Sequence, residues 1–306
     1  MDIEQSGAVV IGDALIDEIR DAGGVRELVG GAALNVAVGL RRLGVPATLI
    51  AMVGQDAAGD HIREYLHDHG VRLIESRAKH GSSRAVVQRN WSGEPEYFFN
   101  KAARKRSIRF GEEAREAISA AEIVVVSCFP FDVETEADAL AEAVEGSRLV
   151  IDPNPRSGMM RDRGMFVRSF ERLAVRAELV KVGSDDATLL YDGDLDALRR
   201  RLRELGTEAV LATAGSLGAI LDTDAGVFTA PIAELPGPIV DTVGAGDATL
   251  AAAVAGLMTA PPTTPDAWQE LLERAMAVAA ATCRSEGGLL RTPESLVDAE
   301  RGVFGS

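Results

Sequence analysis

Cysteine, aromatic residues and positive charge are all scarce in this sequence. Only two cysteines, Cys128 and Cys283, occur among 306 residues, and both lie in apolar stretches. They are typical of small buried side chains, not of a disulfide framework or a redox or metal pair. Aromatic residues make up 5% of the chain, but hydrophobic residues reach 46%, which is enough for a core and excludes intrinsic disorder. The 32 basic against 47 acidic residues give a net charge of −15, and that field argues against a nucleic-acid groove.

Long apolar stretches are missing as well. No stretch reaches the roughly 18 uncharged apolar residues that a membrane-spanning helix needs, and the best candidate, Leu250–Met258, is short and mostly alanine. The first residues, Met1 to Gln5, lack the basic and apolar regions of a signal peptide. These features predict a soluble cytoplasmic protein with no membrane partner.

Short β-branched segments alternate with amphipathic stretches along most of the chain. In the helix predicted over Ala33–Leu43, Leu34 and Val38 recur at the helical period and Gly44 ends the pattern. Such alternation is typical of an α/β fold with a mostly parallel central sheet covered by helices on both faces. The predicted strands are Ala8–Ile11, Ala47–Val53, Ile123–Ser127, Leu149–Ile151, Leu179–Val182 and Ala209–Thr213. Further helices are predicted near Gly59–Asp68, Glu134–Val144, Leu195–Leu205, Ala248–Met258 and Asp266–Cys283.

Two regions depart from this alternation. Arg84–Trp91 and Glu96–Phe99 have the pattern of a β-hairpin around a Gly/Pro turn, and Ala14–Ile19 with Arg26–Val29 forms a second, shorter one. No helix separates the strands of either pair. We therefore predict a small sheet that projects from the main body as a flap.

The segment Asp241–Ala248 has the most chemical content. Gly244, Ala245 and Gly246 allow a tight turn that directs backbone N–H groups outward at a helix start, where the helix dipole favours an anion. A carboxylate beside such a phosphate cradle would repel the phosphate. Asp247 therefore makes sense as a base that takes the proton from an attacking hydroxyl, which predicts phosphoryl transfer.

A simpler interpretation of this segment remains open, in which Asp247 is only a helix N-cap and the glycines only form a turn. A dinucleotide-binding loop also begins with Gly-x-Gly. However, Thr249 occupies its third glycine position, and Asp266, the acid about twenty residues on, follows a proline-rich loop. No Gly-Lys-Ser/Thr sequence occurs, so the loop is not a Walker loop.

Short polar side chains near the N-terminus are suited to a polyol. Asp13, Asp17 and Asn35 flank Gly30 and Gly31, and carboxylate and amide groups accept and donate hydrogen bonds in fixed directions. The alternative is that Asp17 is a turn residue and Asn35 a helix-start residue. On the flap, two side chains are candidates to contact or cover the substrate, although each is also typical of a solvated or packing residue: Arg84 and Phe98.

Two of these segments carry a family resemblance. Asp241–Asp247 matches Asp-Thr-x-Gly-Ala-Gly-Asp, and Gly30–Ala37 resembles a Gly-Gly followed by Asn-x-Ala and a helix. Both are signatures of the PfkB or ribokinase family of sugar and nucleoside kinases, which the chain resembles over essentially its whole length. The resemblance implies one three-layer ribokinase-like domain over residues 1–306, with lid segments at approximately 13–31 and 72–104. It also implies ATP at the C-terminal edge of the sheet and makes the flap a lid over the sugar.

Weaker matches follow in the family's order. Gly12–Asp17 resembles the sugar-binding turn of fructokinase-like members, and Val53–Gly59 resembles the Val-Gly-x-Asp-x-x-Gly loop. The run Asp152–Arg156 resembles Asp-x-Asn-x-Arg, which implies that Arg156 joins Asp13, Asp17, Gly31 and Asn35 on the substrate side. The run Thr213–Gly218 resembles a nucleotide-side turn. The residues implied to bind nucleotide are Lys181, Thr213, Gly215, Gly218 and Gly246.

Departures from the family concern the metal and the lid. A Lys-x-Asn-x-x-Glu stretch, linked in the family to magnesium and phosphate, reads Lys181 to Asp186 here, with glycine for asparagine and aspartate for glutamate. The shorter Asp186 carboxylate is still able to act on Mg²⁺ through water. Asp241 resembles part of the K⁺ site of some relatives. In the lid, Asn100 replaces the arginine expected to meet a substrate carboxylate, which favours a neutral sugar.

The sequence therefore predicts an ATP-dependent kinase that transfers the γ-phosphoryl group to a hydroxyl of a small sugar. A ketohexose such as fructose is the preferred substrate, and ribose, a nucleoside or 2-keto-3-deoxygluconate are alternatives within the family. A nicotinamide-dependent oxidoreductase and a non-catalytic nucleotide-binding regulator are the alternatives of another class. Mg²⁺ is expected with ATP, with K⁺ as a further cation, and a homodimer is expected to form through the lid.

Overall fold

The computed structural model describes residues 7–21, 24–89 and 95–296. The tips of both predicted hairpins, 22–23 and 90–94, lie outside this range. The strands are β1 (Ala8–Gly12), β2 (Leu15–Asp21), β3 (Gly24–Gly30), β4 (Ala47–Val53), β5 (Arg72–Arg77), β6 (Ser83–Arg89), β7 (Pro95–Phe99), β8 (Ile123–Ser127), β9 (Leu149–Asp152), β10 (Leu179–Gly183), β11 (Ala209–Thr213), β12 (Ala219–Thr223) and β13 (Gly226–Ala230). The helices are α1 (Ala32–Arg42), α2 (Ala57–Asp68), α3 (Lys101–Arg104), α4 (Glu112–Ala120), α5 (Glu134–Ala143), α6 (Arg163–Ala174), α7 (Ser184–Leu190), α8 (Leu195–Leu205), α9 (Ala245–Thr259) and α10 (Pro265–Thr282).

The larger sheet has the strand order β13-β12-β11-β10-β9-β8-β1-β4-β5. Its strands run parallel from β11 to β5, and only β12 and β13 are antiparallel. Each of the six predicted strands is present within one residue of its expected ends. Because parallel strands share an orientation, their carboxyl ends all open onto one edge, where ligands bind in folds of this kind.

Helices cover both faces of this sheet and make the fold three-layered. Val10 packs with α1, α2, α9 and α10 on one face, and its neighbour Ile11 packs with α4 to α8 on the other. The alternation follows from the two-residue period of a strand. Helix α9 lies between α1 and α10, and its alanines permit close packing, since a Cβ on Gly39 would lie 3.0 Å from the Ala251 Cβ. Cys128 is buried and Cys283 partly buried, and both thiols are free.

The smaller sheet has the strand order β3-β2-β6-β7, which combines the two predicted hairpins. The expected second lid segment, 72–104, begins too early. Its first strand, β5, pairs with β4 at the edge of the large sheet, because Leu73 and Ile74 contribute to the two cores there. The chain leaves the large sheet after β5 and enters the small sheet at Ser83. Among the described residues, no helix is both long and apolar enough to cross a bilayer.

Candidate active site

The segment predicted to cradle a phosphate lies at the N-terminus of α9. Gly244 is the N-cap residue and has a left-handed backbone with φ of 76°, a conformation that glycine adopts without strain. A Cβ at this position would also lie 2.5 Å from the Gly288 Cα, so a second chain segment packs directly on the turn. Ala245 and Gly246 begin the helix. The Ala245 N–H donates to the Thr242 carbonyl oxygen at 3.3 Å. Since N–H groups of a first helical turn have no intrahelical acceptor, the Gly246 N–H can point to an anion.

Asp247 lies in the first turn of α9 with its side chain buried. Its Oδ2 accepts a hydrogen bond from Asn35 Nδ2 at 2.8 Å, across a sequence separation of 212 residues. Gly244 is the N-cap, and Asp247 does not cap the helix that contains it, so the simpler interpretation of this aspartate is wrong. Burial raises the pKa of Asp247 to about 7, although the Asn35 hydrogen bond and the positive charge of Lys181 oppose the shift. A carboxyl group with such a pKa can accept a proton near neutral pH.

The polar residues predicted on the substrate side converge at the N-terminus of α1. Asp13 Oδ1 accepts from the Ala33 backbone N–H at 3.1 Å. Gly31 is the N-cap of α1 with φ of 112°, and a Cβ there would lie 2.8 Å from the Asp13 carbonyl oxygen. Burial and the nearby Asp13 charge raise the pKa of Asp17 to about 6. The structure therefore brings Asp13, Asp17, Gly31 and Asn35 to one place, next to Asp247.

Arg156 follows β9 in a loop where Asn154 has a positive φ of 38°. Its positive charge acts on the carboxyl groups of Asp17 and Asp247 and lowers the pKa of each against the effect of burial. Arg156 is therefore electrostatically close to both Asp17 and Asp247.

Arg84 and Phe98 are not part of this group. In the small sheet Asp17 is paired with Ala85, and Ala85 with Phe99, so these three side chains share one face. Arg84 and Phe98 lie one residue away on neighbouring strands and point to the opposite face. Arg84 Nη1 donates to Glu27 Oε1 at 2.5 Å and lies 3.5 Å from Glu18 Oε2. Within one chain, Arg84 and Phe98 therefore do not lie on the same face of the small sheet as Asp17.

Phe99 is an aromatic residue on the face of the lid that carries Asp17. It packs with Cys128 and Met159, and a Cβ on Gly158 would lie 2.7 Å from its ring. The hairpin pattern predicted the strand, but which of two adjacent phenylalanines faces inward depends on the pairing register. No sequence signal separated them.

The residues predicted on the nucleotide side line the ends of β10 and β11. Lys181 is buried on β10, and Thr213 at the end of β11 donates to the Val182 carbonyl oxygen at 3.3 Å. The turn after β11 contains two glycines with positive φ, Gly215 at 54° and Gly218 at 93°. A Cβ on Gly218 would lie 2.2 Å from the Ala230 carbonyl oxygen, so the turn is held close to β13.

Sequence reasoning missed an exposed apolar surface after β13. Several large hydrophobic side chains in this region are exposed, and a run of them lies in the segment that leads into the cradle. A pattern based on periodicity overlooks them because they lie in a loop. They are Ile232, Ile239, Val240 and Val243.

The two predicted cation residues have backbone partners. Asp186 is buried at the start of α7, and its Oδ2 accepts from the Gly183 N–H at 2.6 Å. Asp241 accepts from the N–H groups of Val243 and Gly287, each at 3.0 Å, and so joins the loops on either side of the cradle. In the described part of the chain, no group of three or more histidine, cysteine or acidic residues could hold a metal ion.

A model for pfkB family carbohydrate kinases matches residues 6–294. The chain belongs to this family. It is therefore a carbohydrate kinase. The two alternatives of another class, a nicotinamide-dependent oxidoreductase and a non-catalytic nucleotide-binding regulator, are wrong.

Related proteins differ in the substrate that their names give. A fructokinase of Rhizobium leguminosarum bv. trifolii is 28% identical over 246 residues, which cover 77% of this chain and 75% of the relative. The aminoimidazole riboside kinase of Salmonella typhimurium is 29% identical over 251 residues, 78% of this chain and 77% of the relative. The structure of an ATP-bound fructokinase from Xylella fastidiosa superposes with a TM-score of 0.81 at 19% identity, covering 97% of this chain and 98% of that one. The last similarity supports the ribokinase-like fold.

Proposed function

We propose that this kinase transfers the γ-phosphoryl group of ATP to a hydroxyl of a neutral sugar, with a ketohexose such as fructose as the preferred substrate. The observation that carries the proposal is the buried Asp247 carboxylate in the first turn of α9, where it accepts a hydrogen bond from Asn35 of α1. Asp247 acts as the base for the attacking hydroxyl, and the N–H groups of residues 244–246 stabilise the phosphoryl charge.

Two features favour a neutral substrate. Asp13 and Asp17 are both acidic, so a substrate anion next to them would be repelled. Arg84 of the lid does not supply a compensating charge on that face, because it is paired with Glu18 and Glu27. Asn100, which stands where the family's keto-acid kinases have arginine, accepts from the Ala103 N–H at 2.9 Å and caps α3 instead.

ATP is proposed to lie at the carboxyl ends of β10 and β11, where Lys181, Thr213, Gly215, Gly218 and Gly246 surround its phosphates. Mg²⁺ bound with ATP would neutralise phosphate charge. The donors present fit such an ion, since Asp186 offers a carboxylate to a cation whose other ligands are phosphate oxygens and water. K⁺ is proposed near Asp241, and replacing K⁺ with tetramethylammonium is expected to depress activity.

The small sheet is proposed to hold two chains together as a homodimer. Phe98 and Val25 are 53% and 62% exposed on the face of the sheet that turns away from Asp17. A second copy of the same sheet would cover this apolar surface.

The test is ADP release, measured by a coupled assay, against a panel of ketohexoses, pentoses, 2-keto-3-deoxygluconate and nucleosides. We expect the highest kcat/KM with a ketohexose. Asp17→Ala should then raise the sugar KM by about 5- to 150-fold, the loss of 1 to 3 kcal/mol for a polar contact in a closed site. A rise of less than about threefold for every sugar would remove Asp17 from the pocket. A preference for 2-keto-3-deoxygluconate would overturn the neutral-sugar assignment and leave the kinase activity standing.

A further inference from the structure

A buried ion pair lies directly under the cradle. Asp152 ends β9, and Lys181 lies beside it on β10, with Nζ 3.1 Å from Asp152 Oδ2. The two side chains are 0% and 7% exposed. Of the four lysines in the sequence, Lys79, Lys101 and Lys105 are exposed and Lys181 alone is buried.

Stability does not explain this pair. Removing two charges from water opposes folding, and a buried ion pair is often no better than apolar side chains of the same size. The pair is also incompletely satisfied, because Asp152 Oδ1 has no hydrogen-bond partner among the described residues. Ser127, the register neighbour of Asp152 on β8, has a buried and unpartnered Oγ as well. Polar atoms left free inside a protein require a reason other than packing.

The position of the ammonium group suggests that reason. A Cβ on Gly246 would lie 3.0 Å from Lys181 Nζ, so the charge is in contact with the cradle itself. Although burial opposes the ammonium form, the carboxylates of Asp152, Asp186 and Asp247 raise the pKa of Lys181 above its ordinary value. Lys181 is therefore positively charged next to Gly246, at the start of α9.

We propose that Lys181 stabilises the phosphoryl group during transfer and that Asp152 is a positioning residue, which holds the lysine against Gly246. The inference rests on the proposed function and refines it. A lysine that only binds nucleotide would change the affinity for ATP. A positive charge beside the cradle stabilises the phosphoryl group during its transfer, and its loss would therefore lower kcat.

The test compares Lys181→Met, Asp152→Asn, the double variant and Lys181→Arg. Lys181→Met is expected to lower kcat about 10²- to 10³-fold, the effect of losing one preorganised donor, while the ATP KM changes less than about threefold. Asp152→Asn should lower kcat by a smaller factor. Because Asp152 acts through Lys181, the double variant should lose no more than Lys181→Met alone. Lys181→Arg should recover part of the activity.

Asp222→Asn is the matched control, since it also removes a carboxylate from a mostly buried ion pair, with Arg199 and Arg203, at the edge of the sheet. It should lower the melting temperature and leave kcat unchanged. A Lys181→Met enzyme with kcat within threefold of the parent, or one that changes only the ATP KM, would overturn the inference. If the fold-loss of kcat in the double variant equals the product of the two single losses, Asp152 does not act through Lys181 and its positioning role is wrong.

A binding measurement separates this inference from the proposed function. Calorimetry with ADP, and with ADP plus aluminium fluoride as a mimic of the phosphoryl group in transfer, needs no sugar to be identified. Lys181→Met should weaken binding of the fluoride complex much more than binding of ADP alone. Equal weakening of both contradicts the inference, whereas a parent enzyme that releases no ADP with any sugar contradicts the proposed function.

Discussion

Asp247 is buried, and the burial has opposite consequences for activity and stability. Desolvation raises the pKa of this carboxyl group to about 7, which suits a base that works near neutral pH. The same desolvation means that the ionised form is unfavourable in the folded protein. In its proposed role as a base, Asp247 would favour the chemistry at the expense of the free energy of unfolding, as residues in active sites often do.

Replacing Asp247 with asparagine should separate these two effects. We expect Asp247→Asn to lower kcat about 10²- to 10⁴-fold, the usual contribution of a general base, with little change in ATP binding. In the unfolded chain Asp247 loses its proton near the ordinary pKa of an aspartate, whereas in the folded protein it keeps the proton up to about pH 7. The aspartate therefore destabilises the fold increasingly as the pH rises from about 4 to about 7. The variant should thus melt above the parent at about pH 8, and the difference should shrink toward about pH 5.

Asp185→Asn is the control for this comparison, because Asp185 is an exposed carboxylate on α7. It should change neither kcat nor the pH dependence of the melting temperature. Near-normal turnover in Asp247→Asn would rule out the base, whatever the melting curves show.

The turn before α9 depends on backbone conformation and on close packing together. Gly244 has φ of 76°, and Gly44, after α1, has φ of 83°. Both would be strained by a side chain, but only Gly244 has backbone in the way, because nothing lies within 4 Å of a Cβ on Gly44. Substitution of Gly44 therefore tests the left-handed conformation alone, whereas substitution of Gly244 also tests the contact with the loop at Gly288.

Gly44→Ala should cost about 1 to 2 kcal/mol of unfolding free energy, the price of a left-handed residue, with kcat unchanged. Gly244→Ala should cost more, because the Gly288 loop must move, and it should also lower kcat about 10²-fold or more through the displaced N–H groups. Urea unfolding gives the free energy of unfolding of both variants, and steady-state kinetics gives their kcat. Equal losses of stability with normal kcat in both would show that the close approach has no catalytic consequence.

The loop between β4 and α2 is hydrogen-bonded to Ser82, the residue just before the chain enters the lid at β6. Asp56 caps α2 through the Gly59 N–H at 2.9 Å, and the same carboxylate accepts from the Ser82 N–H at 2.8 Å and the Ser82 hydroxyl at 2.6 Å. Ser82 Oγ in turn accepts from the Gly54 N–H. This network explains why glycines occur in the Val-Gly-x-Asp-x-x-Gly sequence: a Cβ on Gly54 would lie 2.4 Å from the Ser82 nitrogen.

Asp56→Ala is therefore expected to loosen the lid. It should raise the sugar KM several-fold, up to about tenfold, because the small sheet, which carries Asp17, is less firmly oriented toward the rest of the site. Asp194→Ala removes a comparable N-cap, which accepts from Ala197 at the start of α8, far along the chain from the lid. Both variants should lose about 1 kcal/mol of stability. An unchanged sugar KM in Asp56→Ala would show that the network serves only the helix.

The whole molecule carries a net charge of −15, so two copies repel each other unless a specific surface compensates. The outward face of the small sheet, with Val25 and Phe98, is the surface on which the proposed dimer depends. Dimerisation should accordingly be stronger at moderate salt than at low salt, because ions screen the repulsion and leave apolar contact intact.

Phe98→Glu should shift the protein from dimer to monomer in sedimentation velocity runs. The change places a charge on the apolar face, where a second copy would have to bury it. Val175→Glu, at a 42% exposed site after α6 and away from the lid, should leave the assembly unchanged. A parent protein that sediments as a monomer at all concentrations would disprove the dimer.

Local patterns in the sequence were sufficient for most of the framework. Each predicted strand of the large sheet and the helix that begins at the cradle formed, because hydrophobic period and glycine placement act over a few residues. The helices α3, α4, α6 and α7 and the strands β5, β12 and β13 were not predicted. In β13 the exposed Val227 and partly exposed Phe228 blur the alternation, since an edge strand has less core contact.

The sequence by itself determined the family, the cradle at Gly244–Gly246 and the identity of the acid beside it, because these depend on residue types at short spacing. Tertiary structure alone decided which side chains meet. Asn35 reaches Asp247, Asp152 holds Lys181 under Gly246, and Phe99 instead of Phe98 faces the site. Each of these contacts depends on strand order or pairing register, and a shift of one residue in register turns a side chain to the other face of its sheet.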